Sequence, residues 1–358
     1  MYEIDLTLNE PFRLESGEVL DEVKLRATVY GKLNADRSNA VLVFHALTGS
    51  SRIGDWWNGL MCSGCALDTS EFAFICVNYL GSSYGSTSAS QLKKRRAKGT
   101  RAAELPIVTT RDIVRTNVLL LEHLGVKALK YVIGGSVGGM LALQFAVDYP
   151  EVAEHCVSIA ATPLSAMGLA LNHLQRQAIK QNDLELARKI AVVSYKSPRK
   201  FGERFGRNPN RNGENPKQNR NDRFDVGGYL DHQGDLFKDR FEIDSYDLIT
   251  KAMDLFDLSN NDLKQIRSKI SLVGISSDWL FPAADVRALK DRLVGSGVDA
   301  NYHEIRSEDG HDAFLSDVAE TSRVLRHILG EPDEEMTVNS FVGYRRPLDQ
   351  LRGCYKVL

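Results

Sequence analysis

The residues best placed by type and spacing to do chemistry are one serine and two later side chains. Gly134-Gly135-Ser136-Val137-Gly138-Gly139 sets a serine among small residues. An apolar run, Leu129–Gly134, precedes it, and the nearly all-apolar stretch Val137–Asp148 follows and stops before Pro150. This is G-x-S-x-G at a strand–turn–helix junction. The glycines let strand and helix approach around a strained turn, which lifts the serine Oγ above the strand's C-terminal end. The helix N-terminus beside it favours developing negative charge. A dinucleotide loop would need G-x-G-x-x-G, and a phosphate loop a Lys after the last glycine; neither is present.

A serine hydroxyl is a weak nucleophile and needs a base. His311 lies in Ser307-Glu308-Asp309-Gly310-His311-Asp312, a loop after the strand-like run Ala300–Ile305. Asp278 lies in Ser276-Ser277-Asp278-Trp279, just past another strand-like run, and an acid there sits on the cleft side of a sheet. It would hold the imidazole tautomer and stabilise its charged form. Glu308, Asp309 and Asp312 compete as acids but share the histidine's own loop. The other histidines have plainer readings: His123 and His327 in helices, His303 in a strand, His155 beside one.

These groups need a sheet to hold them. Residues 39–45, 72–77, 129–134, 156–160 and 270–275 read as buried parallel strands, several apolar on both faces. Asp112–Leu124 has helical apolar spacing, with Thr110 as a possible N-cap and Gly125 as its stop. Alternating strands and helices predict an α/β chain with a mostly parallel, doubly wound sheet. With the order Ser, acid, His, this is the pattern of the α/β-hydrolase fold. His45-Ala46-Leu47-Thr48-Gly49 resembles the loop that supplies one oxyanion amide in that fold, so the expected donors are the Leu47 and Val137 backbone N–H groups. The alternation fails between about 163 and 258, where only helices are expected: Leu164–Lys180, Leu184–Ser197 and Ser245–Leu258. The expected division is a core of 1–162 and 259–358 with a helical lid at 163–258. Asn208–Asp222, rich in Asn, Arg, Gly and Pro, and the basic run Lys93–Lys98 read as solvated loops.

Composition narrows the class. The 358 residues are 43% hydrophobic and 26% charged, enough to bury a sizeable core. A net charge of −2 gives no field that would recruit nucleic acid or anionic membrane. The first residues show no secretory pattern, and no apolar run approaches the roughly 18 residues of a membrane span. Five cysteines, an odd number, argue against a disulfide framework and fit a reducing cytoplasm. Cys62-Ser63-Gly64-Cys65 is a lone CxxC, which predicts neither a metal site nor a thioredoxin-like unit.

Over nearly its whole length the chain resembles the homoserine O-acetyltransferase family. The resemblance is carried by His45-Ala46-Leu47-Thr48-Gly49, Asp55-Trp56-Trp57, Asn78-Tyr79-Leu80-Gly81, Tyr84-Gly85-Ser86-Thr87 and Gly134-Gly135-Ser136-Val137-Gly138-Gly139-Met140. Gln175-Arg176-Gln177-Ala178-Ile179, Tyr229-Leu230-Asp231-His232-Gln233-Gly234, Ser276-Ser277-Asp278-Trp279-Leu280-Phe281-Pro282 and Gly310-His311-Asp312-Ala313-Phe314-Leu315 continue it. It implies a ping-pong reaction of methionine biosynthesis: Ser136 takes acetyl from acetyl-CoA, a co-substrate, and passes it to the homoserine hydroxyl. It implies no cofactor or metal, and a homodimer paired through the lid helices. It also implies that Arg188 and Tyr195 take the substrate carboxylate and Asp312 its ammonium group. A spacing of seven puts Arg188 and Tyr195 on one helix face; the plain alternative for Arg188 is a surface salt bridge. After Ser86-Thr87 the chain departs from the family pattern, running into Ser88-Ala89-Ser90 and the basic stretch, and the loop before Arg188 is shorter. Open alternatives are a carboxylesterase or acetylesterase, a succinyl-CoA-dependent homoserine or serine O-acyltransferase, and a non-catalytic binding protein.

Overall fold

In the computed structural model, residues 1–96 and 104–330 are described. The basic run Lys93–Lys98 was expected as a solvated loop, but its described part belongs to a helix, Ala89–Arg96; residues 97 and 98 lie outside the described residues, as does Cys354. Eight strands form the main sheet: β1 (Tyr2–Thr7), β2 (Lys24–Tyr30), β3 (Ala40–Phe44), β4 (Ala73–Val77), β5 (Leu129–Gly135), β6 (Ala153–Ile159), β7 (Lys269–Ile275) and β8 (Ala300–Ile305). Their order is β1-β2-β4-β3-β5-β6-β7-β8. β1 pairs antiparallel with β2, and β2 with β4, while the remaining pairs are parallel.

The parallel strands read as continuous apolar runs because both faces are covered. Leu42 and Phe44 of β3 join one buried cluster with Val132, Met140 and Phe145. Val41 and Val43 join the other, with Trp57, Ile133, Val157 and Phe314. Successive side chains of a strand point to opposite faces, so an all-apolar strand needs a core on each side. The sequence reading located β3 to β8 within a few residues and missed β1 and β2. β1 is the edge strand and is exposed along most of its length, so little apolar patterning marks it; β2 lies inside it, paired with both β1 and β4.

Helices α1 (Thr110–His123) and α2 (Val137–Asp148) flank the central strands. The N-cap of α1 is Thr109, not Thr110: Thr109 forms a capping box with Asp112. Between β6 and β7 run α3 (Ala166–Lys180), α4 (Leu184–Tyr195), α5 (Pro198–Phe205), α6 (Asp225–Lys238) and α7 (Ile243–Leu255). The sequence reading carried α4 to Ser197. It stops at Tyr195 because Ser197 caps a new helix with Pro198 in its first turn. Helix α6 was missed altogether. Gly227, Gly228 and Gly234 depress its helix propensity, yet a Cβ at Gly234 would lie 3.0 Å from Lys189 and 3.1 Å from Glu185 of α4. Close packing of α4 on α6 favours glycine there.

Asn208–Asp222 is a loop, as expected, and it is tied down. Glu214 accepts from the backbone N of Arg223 at 2.6 Å and from Asn210 at 2.7 Å, and it pairs with the Arg223 guanidinium. Helices α8 (Ala283–Gly295) and α9 (Val318–Leu329) complete the layers. Cys62 and Cys65 form a disulfide with their Cα atoms 5.1 Å apart, where the odd cysteine count gave no expectation of one. It joins the end of the short strand Met61–Cys62 to the turn that leads into its parallel partner Leu67–Asp68. Among the described residues no helix is long and apolar enough to cross a membrane.

Candidate active site

The turn between β5 and α2 holds Ser136 at φ 59° and ψ −127°, a strained backbone for a residue with a side chain. Its surroundings fix it there. Its N–H donates to Ile159 O of β6 at 2.9 Å, and its carbonyl accepts from Gly139 and Met140. A Cβ on Gly138 would lie 2.2 Å from Phe44 O, so only glycine lets α2 start this close to β3. Val137 is the first residue of α2, and a first-turn N–H has no acceptor within its own helix.

His311 comes to Ser136 from a short turn, Gly310–Asp312, after β8. Its Nε2 is 2.8 Å from Ser136 Oγ and its Nδ1 is 2.7 Å from Asp278 Oδ2. The other carboxylate oxygen of Asp278 accepts from the backbone N–H groups of Leu280 (2.8 Å) and Phe281 (3.0 Å). All three groups are buried, with His311 only 3% exposed. Burial pushes the His311 pKa down, but the charge and hydrogen bond of Asp278 outweigh it and leave the imidazole above its ordinary 6.5. Two serines bind the loops of acid and base together: Ser276 and Ser277 Oγ donate to Ser307 O at 3.0 and 2.6 Å, and Gly310 N donates to Ser277 Oγ at 3.0 Å.

The competing acids face elsewhere. Glu308 pairs with Arg199 at 3.3 Å and Asp309 with Lys200 at 2.7 Å. Two further histidines are buried and kept neutral. His155 bonds Ser271 Oγ at 2.9 Å and is held to about 4 by burial. His45 stacks on Tyr79 with centroids 3.7 Å apart, and burial likewise pushes it down to about 4.

Ser136 and His311 open into a cavity of about 800 Å³, lined also by Leu47, Arg188, Tyr195 and Asp312. Every site residue picked from the sequence except buried Val137 and Asp278 therefore faces one space. Arg188 is 5% exposed, which removes the surface salt-bridge reading. Its guanidinium lies 4.9 Å from the Phe237 ring centroid and 5.7 Å from that of Tyr195.

Two cations escaped the sequence reading. Lys196 Nζ sits 2.8 Å from Asp312 Oδ2, so an internal ammonium occupies the carboxylate expected to take a substrate's. Arg240, in the turn between α6 and α7, reaches the loop after β3, its Nη1 3.1 Å from Thr48 O. No motif marked either; lone basic residues look alike in sequence whether solvated or buried. Among the described residues no group of three or more His, Cys, Asp or Glu could hold a metal ion.

A strained serine at a strand–helix junction, joined to histidine and aspartate beside a cation-lined cavity, invites comparison with known proteins. The α/β-hydrolase-fold family model matches residues 39–318. The homoserine O-acetyltransferase of Methanococcoides burtonii is 36% identical over 355 residues, covering 90% of this chain and 72% of the relative. A homoserine O-succinyltransferase of Acidithiobacillus ferrooxidans is 35% identical over 366 residues, covering 92% and 95%. The crystal structure of esterase E22 superposes with a TM-score of 0.82 at 20% identity, covering 92% of this chain and all of the esterase, a likeness of fold alone. Identity of this order along nine-tenths of the chain, on this fold, makes the chain a member of the homoserine O-acetyltransferase family of α/β-hydrolase-fold acyltransferases.

Proposed function

We propose that this chain moves an acetyl group from acetyl-CoA to the hydroxyl of L-homoserine by a ping-pong mechanism. The observation that carries this reading is the unbroken Ser136–His311–Asp278 chain, at 2.8 and 2.7 Å, opening into a cavity that also holds Arg188 and Asp312. Ser136 Oγ attacks the thioester carbonyl as His311 Nε2 takes its proton. The Leu47 and Val137 N–H groups hold the tetrahedral oxyanion, and a donor of this kind contributes about 3 kcal/mol to the transition state. Collapse breaks the C–S bond, and His311 returns the proton to the departing CoA sulfur. The homoserine hydroxyl then gives its proton to His311 and attacks the acyl-serine; collapse breaks the bond from Ser136 Oγ to the acyl carbon, His311 returns the proton to Oγ, and O-acetylhomoserine leaves.

An amino-acid acceptor is zwitterionic and needs one cation and one anion, each desolvated and paired. Arg188, with Tyr195, takes the carboxylate; Asp312 takes the ammonium, which displaces or shares with Lys196. The α3–α7 segment, residues 163–258, acts as a lid on a core of 1–162 and 259–358. Its exposed apolar residues, among them Met167 (58%) and Leu174 (53%) of α3, suit a homodimer contact. Acyl-CoA is an intracellular donor, which puts the reaction in the cytoplasm.

Lys196 favours a second reading. With Arg204 it gives the cavity cations beyond the one that a zwitterion's carboxylate requires, as a succinyl donor's free carboxylate would need. The test is CoA release from acetyl-CoA and succinyl-CoA, each with homoserine, serine or no acceptor. Sustained release from acetyl-CoA only with homoserine supports the leading reading. Sustained release without any acceptor marks an esterase-like enzyme and sinks it, and a preference for succinyl-CoA moves the donor to the second.

A further inference from the structure

We infer that Arg240 is a positioning residue for the oxyanion hole, acting on the Leu47 N–H through two peptide groups. The inference rests on the acyl-transfer reading above, in which that N–H binds the oxyanion. Arg240 Nη1 donates to Thr48 O at 3.1 Å and to Tyr84 Oη at 2.9 Å. The Thr48 carbonyl shares its peptide plane with the Gly49 N–H, which points the other way and donates to Ala46 O at 2.9 Å. The Ala46 carbonyl in turn shares its plane with the Leu47 N–H. No peptide in the described chain is cis, so each plane passes the direction on. The result is one line of dipoles from guanidinium to oxyanion donor: Arg240, Thr48–Gly49, Ala46–Leu47. Hydrogen bonds in such a chain polarise one another, most strongly where water is excluded.

The rest of the loop is held to match. Tyr79 Oη donates to His45 O at 2.5 Å, and His45 Nδ1, as the donor, meets Ala46 O at 2.8 Å. His45 is kept neutral by burial, and Arg240 brings a full charge into hydrogen-bond contact with this loop. Arg240 itself is costly to place. Its Nη2 is buried without a hydrogen-bond partner, no carboxylate lies within 4.0 Å among the described residues, and burial lowers its pKa. A cation kept there without an anion, yet spent on a backbone carbonyl, is explained by what that carbonyl is coupled to. The same contact ties the helical segment to the core, because Thr48 belongs to the core and Arg240 to the turn between α6 and α7.

Acylation by p-nitrophenyl acetate, followed as nitrophenolate release, isolates the effect because it needs neither the natural donor nor the acceptor. Arg240→Met should slow acylation by roughly 10-fold or more, below the full loss on deleting an oxyanion donor. KM should hold within about two-fold, and the acid limb of the pH profile, set by His311, should not move. Arg240→Lys, which keeps the charge, should be faster than Arg240→Gln, which keeps only a donor. Acylation within about two-fold of wild type in a folded Arg240→Met protein overturns the inference. So does a loss confined to the acceptor step, which would make Arg240 a carboxylate anchor. If Arg240→Met does not fold, equal acylation rates for wild type, Arg240→Lys and Arg240→Gln overturn it instead. Wild-type protein that is acylated by the ester but never by acetyl-CoA refutes the acetyl-CoA reading and leaves this test standing.

Discussion

The sheet core and the helical segment between β6 and β7 hold their functional side chains by different means. In the core, Ser136, Asp278 and His311 sit at strand ends, and backbone or short serine bonds fix every loop: Ile159 O on Ser136 N, Leu280 and Phe281 N on Asp278, Ser276 and Ser277 on the histidine loop. In the helical segment, Arg188, Lys196 and Arg240 are long cations held by aromatic faces, one carboxylate and one carbonyl. A short side chain on a rigid strand end has one position; a long one on a helix has several. The core is therefore suited to chemistry common to many substrates, and the helical segment to choosing among them.

The comparison breaks first at Ser136. Ser136→Ala should lower acyl transfer by on the order of 10⁴-fold or more while the fold survives. Retention of more than about a tenth of the activity in steady-state assays would remove the core from the chemistry altogether.

Asp278→Asn comes next. With the wrong tautomer held on His311, the loss should be roughly 10⁴-fold. Glu308→Gln and Asp309→Asn should stay within a few-fold, because their carboxylates pair with Arg199 and Lys200 rather than with His311. Severe loss in Glu308→Gln beside a mild Asp278→Asn would reverse the assignment.

Arg188→Ala tests the other region. Removing one partner of a desolvated ion pair costs about 3–5 kcal/mol. If the helical segment selects the acceptor, that loss falls on the homoserine step, and the burst of CoA release from acetyl-CoA survives. Rapid-quench measurement without acceptor, then with homoserine titrated in, separates the two. Loss of the burst with an unchanged homoserine dependence would place Arg188 on the donor side.

These expectations were unequally legible in the sequence. Ser136, His311 and Asp278 stand in short motifs at the ends of apolar runs, so strand periodicity and one glycine pattern were enough. Helix α6 was hidden by Gly227, Gly228 and Gly234; Gly234 answers to the packing of α4 on α6, and Gly228 to the close approach of the Asn210 side chain. Strand β1 was hidden because it is mostly exposed. Lys196 and Arg240 acquire meaning only from Asp312 and Thr48, 116 and 192 residues away in sequence. Contacts of that range leave no local pattern. The resemblance to a family supplied Arg188, Tyr195 and Asp312, which residue spacing alone would have left among many surface groups.

A smaller effect follows from the His311 pKa, which lies above 6.5. The imidazole must be neutral to accept the Ser136 proton, so acylation should fall as pH drops through that raised value. Stability should run the other way. A raised folded-state pKa contributes stability that is fully present below the unfolded value and is lost as pH rises through the folded one. The acid limb of kcat/KM should therefore lie above 6.5 and move down in Asp278→Asn. A limb below 6.5 in wild type would mean that burial outweighs the aspartate.

The smallest expected effect is that of the Cys62–Cys65 disulfide, which belongs to neither device. It lies beside the cavity, since Asp55, Trp56 and Asn58 of the preceding turn line it. That placement suggests a larger role than the chain entropy allows. The bridge spans a sequence separation of only 3, and closing so short a loop contributes about 2 kcal/mol at most in the entropic account. Other hydrogen bonds hold the same loop without it: Leu67 N donates to Leu60 O at 2.9 Å, Thr69 N to Cys62 O at 3.2 Å, and the Arg326 side chain, through Nη2, to Gly64 O at 2.6 Å. Trp57, which anchors the turn, donates from Nε1 to Phe314 O at 3.0 Å, a contact independent of either sulfur. Cys62→Ser/Cys65→Ser, or reduction by a dithiol, should lower denaturant stability by no more than that amount and leave acylation unchanged. A drop of about 4 kcal/mol or more, or a slowed acylation, would join this turn to the frame that positions Ser136 and redraw the line between the two regions.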